Sequence, residues 1–143
     1  MSTLLEVRDV SKVFHTGGLM SPNSVHAVSH VDFAISADKP EIFTIIGESG
    51  SGKTTLARMI LGLETPSSGT IAFDGRSLTH ASGAKRLKFM ASVQPVFQNP
   101  FEAFNPLKKV DRYLESTARQ FLALRDKAAI DKAMDEALQK VGL

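Results

Sequence analysis

Nine consecutive residues, Gly47-Glu48-Ser49-Gly50-Ser51-Gly52-Lys53-Thr54-Thr55, carry the types and spacing needed to hold a phosphate. They fit the pattern G-x-x-x-x-G-K-[ST], with Gly47 and Gly52 as its fixed glycines, Lys53 as its lysine and Thr54 as its hydroxyl. Glycines let the backbone bend tightly enough for successive N–H groups to face one anion, and a helix that follows adds its positive N-terminal end. In this pattern Lys53 reaches the β- and γ-phosphates and Thr54 holds Mg²⁺. The plain alternative is a flexible glycine-serine turn that precedes a lysine by accident. Composition alone yields the pattern in roughly half a percent of chains of this length, and the flanking context lowers that figure further.

That context is a β-branched run before the loop (Ile42 to Ile46) and a helix-like run after it. The first run reads as a buried strand set up by Pro40. From Thr55 to Leu63 the spacing of Leu56, Ile60 and Leu63 predicts a helix, with Gly62 placed to end it. Upstream, Leu4 to Val10 alternates apolar with charged residues as a half-buried strand does, and Ser11 to Phe14 ends it. His15 to Ser24 reads as a surface loop, and Val25 to Ser36 as a second strand or a strand pair with a bend near Ser29-His30. Downstream, Thr70 to Phe73 is a short strand closed by the turn dipeptide Asp74-Gly75. Leu78 to Lys88 is polar, with a short helix as its best reading, and Met90 to Phe97 is strand-like. From Val110 onward two amphipathic helices follow: Val110, Tyr113, Leu114, Phe121 and Leu124 face one way in the first, and Ile130, Met134, Ala137, Leu138 and Val141 in the second. Asp126 stands at an N-cap position and Gly142 at a C-cap position.

At 143 residues, 43% of them hydrophobic and 22% charged, the chain has the size and balance of one ordinary globular domain. Its apolar runs are far short of the ~20 residues that span a bilayer. Met1 to Val10 lacks the apolar region of a secretion signal. The absence of cysteine excludes disulfides and thiolate metal sites and fits the cytoplasm. A net charge of +2 gives no support to nucleic-acid binding, and the clusters Lys85-Arg86-Lys88 and Lys108-Lys109 read as solvated faces. The four histidines, His15, His26, His30 and His80, have no metal-like spacing and read as surface or packing residues.

Taken together, these stretches resemble the ATPase subunits of ABC transporters, in particular the branch that powers peptide and nickel importers. The loop matches the family's narrower form G-x-x-G-x-G-K-[ST]-T. Leu61-Gly62-Leu63 and the stretch Pro66 to Gly75 look like the family's passage from first helix to next strand. Val96-Phe97-Gln98-Asn99-Pro100, continued by Phe101 to Pro106, is similar to the Q-loop and its peptide-branch ending. The resemblance covers essentially the whole chain. It implies an α/β fold, a P-loop NTPase of ABC ATPase type: an N-terminal β-rich part plus a phosphate-loop core, ending in the start of a helical subdomain and truncated there. The implied domains are a catalytic-core portion over 1–98 and the beginning of the helical subdomain over 99–143.

The resemblance also implies roles. Phe14 stands where the family places the aromatic residue that stacks on adenine. The residues Gly47, Glu48, Ser49, Gly50, Ser51, Gly52, Lys53, Thr54 and Thr55 bind the phosphates of ATP. Thr54 and Gln98 hold Mg²⁺, and Gln98 takes the Q-loop role beside the attacking water. The implied partners are a second ATPase subunit, alike or different, and membrane-spanning permease subunits, which places the protein on the inner face of the cell membrane. The implied function is ATP-driven solute import, with peptide as the expected solute. Two departures stand out: Pro95 lies inside the strand that leads to Gln98, and Pro40 replaces the glycine usual before the loop-feeding strand. The chain stops at Leu143, before the signature, the second nucleotide motif and the switch histidine, so it is expected to bind ATP without turning it over. Other classes compatible with the loop are a non-catalytic nucleotide-binding module and an unrelated P-loop enzyme such as a small-molecule kinase; the Q-loop stretch argues against the latter.

Overall fold

The structure, a computed structural model, describes residues 2–16, 23–79, 81–99, 104–105 and 107–143. These form two compact units, Met1–Val93 and Gln94–Leu143. The first holds strands β1 (Thr3–Thr16), β2 (Asn23–Ser36), β3 (Ser68–Phe73) and β4 (Arg76–Ser77), with helices α1 (Lys53–Ile60) and α2 (Gly83–Ser92). The second holds α3 (Asp111–Phe121) and α4 (Lys127–Lys140).

The strands form one antiparallel sheet in the order β2-β1-β3-β4. Its core face follows from the alternation of β1. Leu5 and Val7 point inward at period two, and the next inward residue is Val10 rather than Asp9. An irregularity makes up the odd residue: the β1–β2 register slips between Val7 and Val10, and Asp9 takes a left-handed φ of 48°. A slip of one residue exchanges the two faces of a strand, so this bulge restores Val10 to the core. The backbone N–H of Asp9 donates to the Asp32 carboxylate at 2.8 Å, and the Asp9 carboxylate meets His30 Nδ1 at 2.6 Å. His30 is left-handed too (φ 48°), which places the expected bend of the second strand within β2.

Gly69 of β3 lies against this bulge. A Cβ there would stand 2.2 Å from the Asp9 carbonyl oxygen and 2.5 Å from that of Arg8, at a φ of 80°. Backbone on both sides cannot yield as a flexible side chain does. Gly69→Ala is therefore expected to lower stability by about 3 kcal/mol, combining left-handed strain with loss of the β1–β3 ladder. A denaturant midpoint within ~0.5 kcal/mol of wild type would contradict that close packing.

Helix α1 packs on the sheet through Leu56 and Met59, joining Leu5, Val7, Val10, Val28 and Ile71 in the main core. It ends at Gly62 (φ 66°), where Leu63 N–H donates to the Arg58 carbonyl at 2.8 Å and Gly62 N–H to the Met59 carbonyl at 3.0 Å. This Schellman pair satisfies carbonyls that a helix end leaves open. Helix α2 is fastened by Phe89, whose ring meets Phe73 edge-on at 5.3 Å. Among the described residues of the second unit Ala118 and Ile130 are the buried ones, and the Asp126 carboxylate caps α4 by accepting from Ala129 N–H at 3.0 Å. Gly142 (φ 82°) closes α4 with a second Schellman pair from Gly142 and Leu143 to Gln139 and Leu138. Tyr113 holds the chain before α3: its hydroxyl accepts from Asn105 N–H at 2.7 Å, and its ring meets Phe104 edge-on.

Several expectations are corrected. The first strand runs on through Ser11–Phe14 to Thr16, and β2 begins at Asn23, so His15, Thr16, Asn23 and Ser24 belong to a long hairpin rather than to the expected loop. Residues 17–22 of that loop lie outside the described residues, as do His80, Pro100, Phe101 to Ala103 and Pro106. Ile42 to Ile46 is no strand: it pairs with none of the described strands and is exposed, Ile42 at 97% and Ile46 at 87%. Its β-branched residues favour extension, but a strand exists only through a ladder to a neighbour. Met90 to Ser92 finish α2, and Val93 to Phe97 lie outside any helix or strand, so Pro95 interrupts no ladder. Finally, α1 starts at Lys53, two residues early, and buries Met59 where Leu63 was expected; Leu63 is exposed.

A glycine loop seated on a bulged strand

The candidate site is the turn from Gly47 into α1. Glu48 to Ser51 closes a tight turn through Ser51 N–H donating to the Glu48 carbonyl at 3.2 Å. Gly50 (φ 82°) and Gly52 (φ 88°) take left-handed conformations that other residues reach only with strain. Gly52 is the N-cap of α1, no side chain caps the helix, and its first turn contains no acidic residue. The opening amides of α1 therefore lack intrahelical acceptors and face no competing carboxylate, which suits an anion.

Lys53 folds back over the loop. Its Nζ donates to the Gly47 carbonyl at 2.8 Å, to the Glu48 carbonyl at 2.6 Å and to Ser51 Oγ at 3.4 Å. One ammonium thus ties the start of the loop to its end and puts a positive charge at its centre. Thr54, in the first turn of α1, is exposed, as is Ser49, while Thr55 is half-buried. A Cβ on Gly50 would meet no group within 4 Å beyond its chain neighbours, so the loop is open at its crest. The residues present fit a polyphosphate, and the free hydroxyl of Thr54 fits a hard cation beside it.

The loop is seated on β2. A Cβ on Gly52 would lie 2.0 Å from the Ala27 carbonyl oxygen and 3.2 Å from Val28 Cγ2. Ala27 is itself irregular: Lys12 pairs with Val28 and Val13 with His26, leaving Ala27 as an extra residue that pairs with neither. Bulges bend a strand and re-aim its groups, and here the carbonyl abuts the loop. An open cleft of about 630 Å³ runs along β2 from His26 and Ala27 past Val31 to Phe43, with Ser51 and Lys53 at its edge. Neither Ala27 nor this cleft was visible in the sequence, since an alanine at a bulge carries no compositional mark.

Phe14 lies on β1 in register with Val25, two positions beyond Lys12. Opposed residues share a face, so Lys12, Phe14 and Val28 lie on the side of the sheet that meets the loop. Lys12 Nζ sits 4.9 Å from the Phe14 ring centroid, and it also pairs with Glu64 Oε1 at 2.6 Å and the Thr65 carbonyl at 2.7 Å. The hydrogen bond from Lys12, followed by its charge, holds the Glu64 carboxyl below its ordinary value of 4.5. One face of the ring is thus covered by a fixed cation. Gln98 belongs to the second unit, exposed at a bend outside any helix or strand. Among the described residues no three His, Asp or Glu side chains form a metal-binding group, and no helix is long and apolar enough to cross a membrane.

A glycine loop opening a helix, with its lysine folded over the loop, defines the P-loop class of phosphate-binding proteins. Within that class, this chain belongs to the ABC transporter family, whose model matches residues 28–143. Among curated relatives it is 39% identical over all its 143 residues to the nickel import ATP-binding protein NikE of Rhodospirillum rubrum, covering 51% of that protein. It is 36% identical over 141 residues to the protein of the same name from Escherichia coli O157:H7, covering 52% of it. The chain spans about half the length of the curated relatives it matches. Among solved structures, one described as a dimeric post-hydrolysis state of the ATP-binding cassette MJ0796 bound to ADP and Pi superposes with a TM-score of 0.73. The match covers 95% of this chain and 56% of that one at 22% identity, which bears on the fold alone. The structure of cbiO1 from Clostridium perfringens, part of the ABC transporter complex cbiONQ, gives 0.68 at 25% identity over 100% of this chain and 52% of that one. The fold expected from the sequence, an ABC ATPase core with about half of its relatives' length, is the fold observed.

Proposed function

We propose that this chain is the nucleotide-holding part of an ABC importer ATPase that couples ATP hydrolysis to nickel uptake. The observation that carries the proposal is the closure of the loop by Lys53 over an uncapped helix start. In this reading Gly47, Glu48, Ser49, Gly50, Ser51, Gly52, Lys53, Thr54 and Thr55 bind the phosphates, and Phe14 stacks on the adenine. Thr54 and Gln98 hold Mg²⁺, which when bound offsets charge on the phosphate oxygens. Lys53 exchanges part of its backbone bonding for phosphate oxygens. The work of this half-site is positioning and charge stabilisation rather than bond making.

The partners in this reading are a second ATPase subunit and membrane-spanning permease subunits, with the protein peripheral on the inner face of the cell membrane. The cbiONQ complex of which cbiO1 is part supports it by likeness. The names of the curated relatives favour nickel over the peptide expected from the sequence. A chromosomal Lys53→Ala allele is expected to cut uptake of radiolabelled nickel at least tenfold while leaving dipeptide uptake unchanged. The opposite pattern would return the solute to peptide.

A further inference from the structure

We propose that the Ala27 bulge is a positioning device that fixes the distance between the Phe14 ring and the phosphate loop, so that base and phosphates are gripped as one length. This rests on the nucleotide-binding reading above and adds a residue that touches neither base nor phosphate.

Three observations converge on Ala27. Its carbonyl is the contact on which Gly52 sits, with no room even for a methyl group between them. It is the extra residue in the β1–β2 ladder, at the point where Lys12–Val28 pairing gives way to Val13–His26. One pair beyond lies Phe14–Val25, on the hairpin arm that the bulge orients. A bulge adds bend and twist to its strand, so the direction of that arm depends on whether residue 27 is extra or paired. Lys12 then holds the ring from one side, anchored by Glu64 and the Thr65 carbonyl. The path from ring to loop is therefore short and made of backbone: Phe14 across the ladder to Val25, along two residues to Ala27, and by contact to Gly52.

The test uses the full chain and two probes, MgATP and inorganic tripolyphosphate, measured by calorimetry. In wild type, ATP is expected to bind about 5- to 150-fold tighter than tripolyphosphate, the range to which ~1–3 kcal/mol of stacking converts. Deleting Ala27 removes the extra residue between the Lys12–Val28 and Val13–His26 pairs and is expected to bring ATP down to the level of tripolyphosphate. Ala27→Gly keeps the carbonyl and adds no atoms, so it guards against misfolding of the deletion. It should narrow the ATP preference, and Phe14→Ala should cost less in that background than in wild type. A full ATP preference in Ala27→Gly, with an unchanged Phe14→Ala cost, overturns the proposal. So does an equal loss of both probes in that variant, which would make Ala27 a support of the loop alone. Wild type that binds neither probe instead refutes the nucleotide-binding reading.

Discussion

Alanine in place of Lys53 is expected to abolish measurable ATP binding, a loss of at least ~100-fold by calorimetry, with the fold intact. The side chain contributes twice. Its ammonium is the cation of the loop, and a hydrogen bond to a charged partner is worth ~1.5–3 kcal/mol, several of which a polyphosphate would receive. It also joins the Gly47 and Glu48 carbonyls, so its removal loosens the loop before any ligand arrives. Stability should change little, because Lys53 is not a member of the core. Arginine is not expected to rescue, since a planar fork cannot replace a compact ammonium between two carbonyls of one tight turn. ATP affinity within threefold of wild type in Lys53→Ala would remove the basis for the nucleotide-binding reading.

The second large effect is expected at Gly52. Gly52→Ala must move either the loop or β2, because the added carbon would sit 2.0 Å from the Ala27 carbonyl oxygen and 3.1 Å from its carbon. It must do so at a φ of 88°, where an L-residue is already strained by roughly 1–2 kcal/mol. The expected cost is at least ~3 kcal/mol, which in a unit of this size lowers the unfolding midpoint by about 12–24 °C and abolishes ATP binding. Gly50→Ala is the control. Its φ of 82° carries similar strain but its Cβ meets nothing within 4 Å, so only the strain should appear. Equal losses in the two variants would show that conformation, and not contact with β2, makes glycine necessary at position 52.

Much of the local structure was legible because its causes lie within a few residues. The loop, the helix it opens, the stop at Gly62, the Asp74-Gly75 turn and the two caps at Asp126 and Gly142 each follow from a side chain or glycine acting on its own neighbourhood. The bend near His30 was readable for the same reason, although its cause, pairing of His30 with Asp9 across the hairpin, was not. The errors fall where the deciding partner is remote. Ile42 to Ile46 has the composition of a buried strand and lies exposed, and Val93 to Phe97 has strand-like residues with no ladder. The hairpin passes its expected end at Val10 because Lys12 to Thr16 find partners in β2, and Ser11 one in β3, that composition does not announce.

The sequence by itself determined that a glycine loop of the G-x-x-x-x-G-K-[ST] pattern occupies residues 47–55, that a helix follows it, and which family the chain belongs to, since each rests on residue types at short, fixed spacing. Only the tertiary structure decided where that loop sits. It rests on the carbonyl of Ala27, turned toward Gly52 by a one-residue mismatch between two strands. The physical reason is that register is a property of a pair of strands, set by which faces they bury together, and no stretch of one strand contains it.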